Sequence, residues 1–419
     1  MDQIVNIQNN LVLPVFFAAL LAVVSLTYAG QTVQVALPDN PTAQQQLAAG
    51  QQIVAAANDI NVSRIEIGPG VYHFNEGLKV SGHQVEIVGT LDVAGPTTVL
   101  QFSSLCDGYQ KTADNTYTLP QTAELIALFQ SDPKMPQGRW RRLLLLKDVA
   151  QITTTPGSFH WAAGMLTVHP YDNADPALTI EIPDVRMGIL AAYGHVIASN
   201  LHIRGTRNTG TYGFSGILQL TDCLLSENGW NGVDTSRQSS VLYKRIASVN
   251  NGNDGYGVHR LGVGTFTQCY AAHNGDDGFS PHEEGIMRLT DCVSEHNADR
   301  GTVAVQGSMM TLKRCQLYHN GGQNLSLEAG AEGVMQQVIA DTSGTPDKAQ
   351  PNIRVLNDSS LLMYQVFDRS GQPVKPALYG NATTSQVDTD TATFDVQLLS
   401  YQKLLPEWFF TSKILDIQP

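Results

Sequence analysis

An asparagine recurs every 23 residues from Asn228 through Asn251, Asn274 and Asn297 to Asn320. Four cysteines keep the same step, Cys223, Cys269, Cys292 and Cys315, with Ile246 in the remaining slot. A fixed period of this length specifies a solenoid, because one repeat cannot bury its apolar face alone and successive repeats stack. The chain becomes a grid in which residues 23 apart are neighbours in space. Asn-Gly-x-x-Gly segments at Asn228, Asn251 and Asn274 supply the turns, since glycine takes positive φ without steric cost. Long amphipathic helical stretches are scarce, so the expected class is all-β, a parallel solenoid of 23-residue coils. The Asn column is read as structural, each stacked amide saturating the hydrogen bonds of the next.

Hydrophobic residues make up 42% of the 419-residue chain, ample for a large core. The net charge of −13 argues against nucleic acid as a partner, because phosphate binding needs a basic field. It also weighs against an acidic polysaccharide unless a local basic patch overrides it. One apolar run, Leu11 to Leu26, ends in Thr27-Tyr28-Ala29. It suits the core of a signal peptide over residues 1–29, although no Lys or Arg precedes it. The expectation is a secreted or periplasmic protein with no membrane span after cleavage, an uncleaved anchor being the alternative. Five cysteines, four of them at one repeat position, read as a column of small buried hydrophobes rather than as disulfides or a zinc site.

Residues Pro41 to Asn58 are rich in Ala and Gln and favour a short capping helix. Ile65-Glu66-Ile67-Gly68-Pro69-Gly70-Val71-Tyr72 then reads as strand, tight turn and strand. This pairing of helix and strand resembles the first coil of pectin-lyase-like right-handed parallel β-helices, and the resemblance implies that hand for the solenoid. The organisation expected is a cap and first coil over 30–90, irregular early coils with insertions over 91–187, regular coils over 188–345, and C-terminal coils and a cap over 346–419. A hairpin is expected from His160-Trp161 to His169-Pro170. The basic cluster Arg139, Arg141 and Arg142 is left open between a strand-edge charge set and a contact to a substrate carboxylate.

Alternation assigns the faces of the regular coils. Val233, Tyr256, Phe279, Thr302 and Leu325 form one inward column, and Thr235, Val258, Pro281, Ala304 and Leu327 another. Asp234, Gly257, Ser280, Val303 and Ser326 point outward, as do Ser236, His259, His282, Val305 and Glu328. His259 and His282 should therefore stand one strand spacing apart, ~4.8 Å, with Arg260 and Glu283 following them. In the turn before this strand Asp254 stacks on Asp277, with Arg300 next, and Asp276 on Asp299. The Asp254/Asp277 pair has three readings: a calcium site, an acid/base pair or turn-forming residues. No cofactor is required, calcium being the one ion considered. The column Asp222, Arg245, Gln268, Asp291, Arg314 is read as a salt ladder without function, and His273, His296, His319 as a stacking ladder.

The segment Asp276-Asp277-Gly278-Phe279-Ser280-Pro281-His282-Glu283 resembles the Y-G-F-D-P-H-[DE] signature of mannuronan C5-epimerases, β-helix enzymes acting on alginate. Gly278, Phe279, Pro281, His282 and Glu283 match; Asp277 and Ser280 stand where that family has Tyr and Asp. The resemblance implies proton transfer centred on His282, with Glu283 beside it, on a uronate-containing polysaccharide. Chemistry of that kind, epimerisation or β-elimination, needs a neutralised carboxylate, a base near pKa 7 and an acid. Arg260 or Arg300 is the expected neutraliser, His282 or His259 the base. Asp234, Asp277, Arg300 and Tyr256 are the expected substrate contacts, Tyr256 serving as an acid only if its column turns outward. Two alternatives stand beside this reading: a glycoside hydrolase using Asp254 with Asp277 or Asp234 with Glu283, and a non-catalytic carbohydrate-binding or structural solenoid.

Overall fold

The computed structural model describes residues 30–131, 140–173, 175–345, 348–387 and 405–411. The expected signal segment, residues 1–29, and Arg139 lie outside them.

The chain is a right-handed parallel β-helix. Its helix Ala43–Asn58 starts where Thr42 and Gln45 form a reciprocal capping box: the Thr42 hydroxyl accepts the Gln45 N–H, and the Gln45 side chain accepts the Thr42 N–H at 2.8 Å. Its buried face, Ala49, Ile53, Val54, Ala56 and Ala57, closes the N-terminal end of the core. A β-carbon at Gly50 would lie 2.0 Å from the His73 carbonyl oxygen, so only glycine lets the helix come this close to the first coil. The strands Val62–Ile67 and Gly70–His73 follow as expected, with the Tyr72 side chain in the core and its hydroxyl donating to the Gly68 carbonyl at 3.1 Å.

Ten parallel strands form one face of the prism, beginning with Leu78–Ser81 and Met187–Ala192 and continuing through Val233–Ser236, Tyr256–His259, Phe279–His282, Thr302–Val305 and Leu325–Glu328. The other two faces share long strands such as Ile217–Ser226 and Ser240–Val249. Each of these bends where one residue takes left-handed dihedrals, Asp222 at φ 53° and Arg245 at φ 56°. Those two side chains make the ladder expected of them: Arg245 meets Asp222 at 2.6 and 2.5 Å, and Arg314 meets Asp291 at 2.7 and 2.6 Å.

The interior is built from the inward columns. Tyr256 and Phe279 stack with ring centroids 4.6 Å apart and planes within 4°, and the four ladder cysteines are buried and free. The asparagines make the continuous chain predicted for them. Each Nδ2 donates to the Oδ1 of the next coil at 2.9 to 3.0 Å, from Asn228 through to Asn320. The same Oδ1 atoms accept backbone N–H groups, as Asn274 does from Asn251 at 3.1 Å. The whole column is buried, so this closed network satisfies groups that water cannot reach.

Between the strand Thr98–Gln101 and the strand Met187–Ala192 the chain leaves the solenoid and returns, while Leu78 still pairs directly with Ile189. The excursion has its own small core around Phe159, Leu166, Val168 and Ile180. The expected hairpin pairs Ser158–Ala162 with Met165–His169 across Ala163 and Gly164, both at positive φ. Two of its basic residues make contacts within the protein. The Arg142 guanidinium donates to the Asn251 carbonyl at 2.8 Å, pinning the excursion to the Asn turn, and Arg141 lies over the Tyr171 ring. After Thr345 the coils resume with an offset: Leu325 pairs with Ile353, five residues later than the 23-residue step would place it. Trp408 and Phe409 cover an outward apolar strip that includes Tyr270 and Val293. Among the described residues no helix is long and apolar enough to cross a membrane.

Candidate active site

The outward side chains of the ten-stranded face carry the polar cluster. Strand pairing sets His259 opposite His282, and their rings stack at 4.9 Å with planes 20° apart. His282 Nε2 lies 2.5 Å from the Ser280 hydroxyl two residues earlier in its own strand. His259 has Gly257 at the equivalent place and instead faces the preceding coil, with Nε2 3.4 Å from Asp234 Oδ1. Burial lowers the pKa of both imidazoles, and His282 pushes His259 further, to about 4. Both rings are therefore neutral at pH 7. Burial raises Asp234 to about 7, so near neutrality the proton of the Asp234–His259 contact lies on the Asp234 carboxyl.

Arg260 and Glu283 occupy the turn after these strands, both at positive φ. They form an ion pair at 2.8 Å, and the Arg260 side chain is 61% exposed. Arg300 lies on the other side of the strands, 3.1 Å from Asp299, 3.7 Å from Asp277 and 3.4 Å from Glu328, which also holds Arg354 at 2.6 Å. Three carboxylates thus surround Arg300, leaving Arg260 the more available cation for a substrate carboxylate.

Three expectations need correcting. Tyr256 is fully buried; its hydroxyl donates to the Ile246 carbonyl at 2.8 Å and lies 3.2 Å from the Tyr270 carbonyl, so it reaches no substrate. Its column points inward, as alternation requires. Asp277 is only 3% exposed and cannot bind a ligand on the open face. It belongs to a second ladder in which each side-chain oxygen accepts the backbone N–H of the next coil: Asn231 from Asp254 at 3.0 Å, Asp254 from Asp277 at 3.1 Å, and Asp277 from Arg300 at 2.8 Å. The turn-forming reading is the one this geometry fits. With Asp254 4% exposed as well, the pair is also unreachable as hydrolase nucleophile and acid. Burial, with Asp277 beside it, holds Asp254 well above the usual carboxylate range; burial, with Asp276, raises Asp277 to about 8.

A calcium ion is a poor fit here. Asp254, Asp276 and Asp277 bring one oxygen each to within 4.8 Å of one another, against the six to eight oxygens calcium takes. Two of the three carboxylates already accept backbone N–H groups, and the Arg300 cation lies 3.7 Å from Asp277. The His273, His296 and His319 rings stack at 5.2 and 5.3 Å along the Asn turn, as a ladder. Two residues of the site escaped the sequence reading, Asn231 and Gly257. The signal for Gly257 was present, a residue without a side chain in an outward column between Asp234 and Ser280.

Comparison with known proteins agrees with this architecture. Residues 188–345 match the family model described as the right handed beta helix region. Among solved structures, XylC in complex with xylose is similar at a TM-score of 0.55 and 9% identity, over 85% of this chain and 70% of that one. The A-module of the Azotobacter vinelandii mannuronan C-5 epimerase AlgE6 is similar at 0.44 and 14% identity, over 82% and 95%. Pectate lyase Pel9A is similar at 0.38 and 12% identity, over 86% and 80%. At these identities the likeness is one of fold. No curated protein matches the sequence.

Proposed function

We propose that this protein is an exported enzyme that removes the C5 proton of a uronate residue in an acidic polysaccharide. The observation that carries the reading is the pair of neutral imidazoles stacked at 4.9 Å on the open face, flanked by Ser280 and Asp234. His282 is the base, and the Ser280 hydroxyl fixes its ring. Arg260 neutralises the substrate carboxylate, exchanging its exposed pairing with Glu283 for the ligand, and so makes the C5 proton acidic. The Asp234–His259 contact supplies a proton, because Asp234 titrates near neutrality.

All of these groups lie on one face of the sheet, and Tyr256, the one phenol considered as an acid, is in the core. Base and acid on the same side of a bound sugar suit β-elimination. Epimerisation needs a proton returned to the opposite side. Elimination is therefore preferred, with epimerisation on the same groups as the second outcome. A hydrolase reading keeps one support, an Asp234 poised to act as a general acid, but loses the Asp254/Asp277 pair.

Incubation with alginate and with polygalacturonate separates these readings. Elimination gives ultraviolet absorbance from an unsaturated uronate, epimerisation shifts the anomeric proton signals without chain cleavage, and hydrolysis releases reducing ends without the absorbance. Folded protein that changes no uronan refutes the enzymatic proposal.

A further inference from the structure

One column of left-handed residues runs along the edge of the ten-stranded face: Tyr193 at φ 56°, Ser215 at 48°, Arg237 at 58°, Arg260 at 53° and Glu283 at 51°. Strand pairing fixes their order, since Ala192 pairs with Phe214 and Phe214 with Ser236, the residues just before the first three. Consecutive members are one strand spacing apart, ~4.8 Å. Arg260 belongs to the candidate site, so Arg237 is its neighbour, and Tyr193 stands two steps beyond towards the N-terminal end. A single ring holds Arg237 and Tyr193. Phe214, half-buried in the strand Thr209–Phe214, has the Arg237 guanidinium over it at 4.7 Å. The Tyr193 ring meets it edge-on, with centroids 5.6 Å and planes 85° apart. Tyr212, two residues earlier in the strand, flanks Phe214 at 6.4 Å. Tyr193 is nonetheless 63% exposed, and Arg237 is exposed as well, so solvent reaches both.

Like charges on adjacent strands repel. Glu283 offsets Arg260 at 2.8 Å, whereas no carboxylate among the described residues pairs with Arg237. On a chain of net charge −13, the two arginines form the local basic patch that an acidic ligand requires. The exposed Tyr193 lies in line with them. A tyrosine ring covers the apolar C–H face of a pyranose while its own hydroxyl stays in water. We infer that the edge from Tyr193 to Arg237 is a binding subsite for the uronate residues next to the reacting one. Arg237 pairs with a carboxylate, and Tyr193 stacks on the apolar face of a ring further along; the uronate class rests on the reading proposed above. The polysaccharide then lies along the solenoid axis, between the N-terminal coils and the His259–His282 pair. Tyr193 is three steps, ~14 Å, from Arg260, so only a chain of several sugars engages the whole edge. Phe214 is a positioning residue, acting through the two groups it holds.

The test is calorimetric titration with di- and tetra-uronates, and with cellotetraose as a neutral control. His282→Gln is the background, so that binding is read without turnover. Arg237→Gln and Tyr193→Ala are then added separately; both side chains are exposed, and thermal melts check that each variant is folded. The proposal expects tetra-uronate to bind more tightly than di-uronate, and Tyr193→Ala to remove that difference, about fivefold. Arg237→Gln should weaken tetra-uronate by about tenfold and flatten the salt dependence of its binding. Unchanged affinity for tetra-uronate in either variant would overturn the subsite and leave the proposed chemistry standing. Weakened binding in both variants, with a wild type that changes no uronan, would uphold the subsite and refute the enzymatic reading. Cellotetraose bound as tightly as tetra-uronate would overturn the role of Arg237. No binding of either uronate, by this background or by the wild type, would overturn the subsite as a whole.

Discussion

The hydroxyl of Ser280 lies 2.5 Å from Nε2 of His282, and this bond sets the ring that stacks on His259. Removing it should loosen the base without removing it. Ser280→Ala is expected to lower kcat by about tenfold at nearly unchanged KM. Steady-state kinetics on the responsive uronan checks this, and an unchanged kcat would deny the hydroxyl its positioning role.

The Asp254–Asp277 ladder gives a pH dependence of definite sign. Both carboxyls titrate higher in the folded state than when unfolded, Asp277 at about 8. Their stabilisation is complete below the ordinary carboxylate range and is lost as pH rises through the folded values, at roughly 1 kcal/mol per pH unit between ~4 and ~8 for one such group. Asn231 holds the same ladder position with an amide, so Asp254→Asn should keep the bond to the Asp277 N–H while removing the charge. Thermal melts from pH 5 to 9 should show a flatter profile for the variant, with a gain of ~1–2 kcal/mol at the alkaline end. Parallel profiles would contradict the assignment.

Much of this was legible before any coordinates. The 23-residue step fixes strand register, and alternation then fixes side, so the Asn ladder, the buried cysteines, the bidentate Arg245–Asp222 contact and the His259–His282 stack all follow from position alone. What the period could not convey is depth within a turn. The stacked Asp254 and Asp277 left a calcium site, an acid/base pair and turn-forming residues open; they turn inward to serve backbone N–H groups, a direction that depends on local φ and ψ and not on a two-residue alternation. Arg142 was equally opaque, since its partner is a carbonyl of Asn251 brought near only by the return of the excursion.

The Asn ladder should be a stability element and no more. Asn274→Ala deprives the Asn251 N–H of its acceptor, the Asn251 Nδ2 of one of its acceptors and the Asn297 Oδ1 of one donor, all buried. A loss of ~3 kcal/mol is expected in chemical denaturation, as for buried polar groups left unpaired. A loss below ~1 kcal/mol would mean that the neighbouring coils relax to satisfy these groups.

Tyr256→Phe separates core from chemistry. The phenol reaches only the Ile246 and Tyr270 carbonyls inside the solenoid. The variant should lose ~1 kcal/mol of stability and keep its turnover. A large drop in kcat with intact folding would restore Tyr256 to the reaction.

The central claim is that His282 moves the C5 proton of a uronate. The most direct measurement is single-turnover reaction of wild type and His282→Gln with oligo-uronate carrying deuterium at C5, with binding of the same oligosaccharide followed separately. The account predicts a primary isotope effect in the wild type and a fall of 10²–10⁴-fold in rate for His282→Gln at similar affinity. Full activity in His282→Gln, or no transfer of the C5 deuterium by wild-type protein that binds the oligosaccharide, would contradict it.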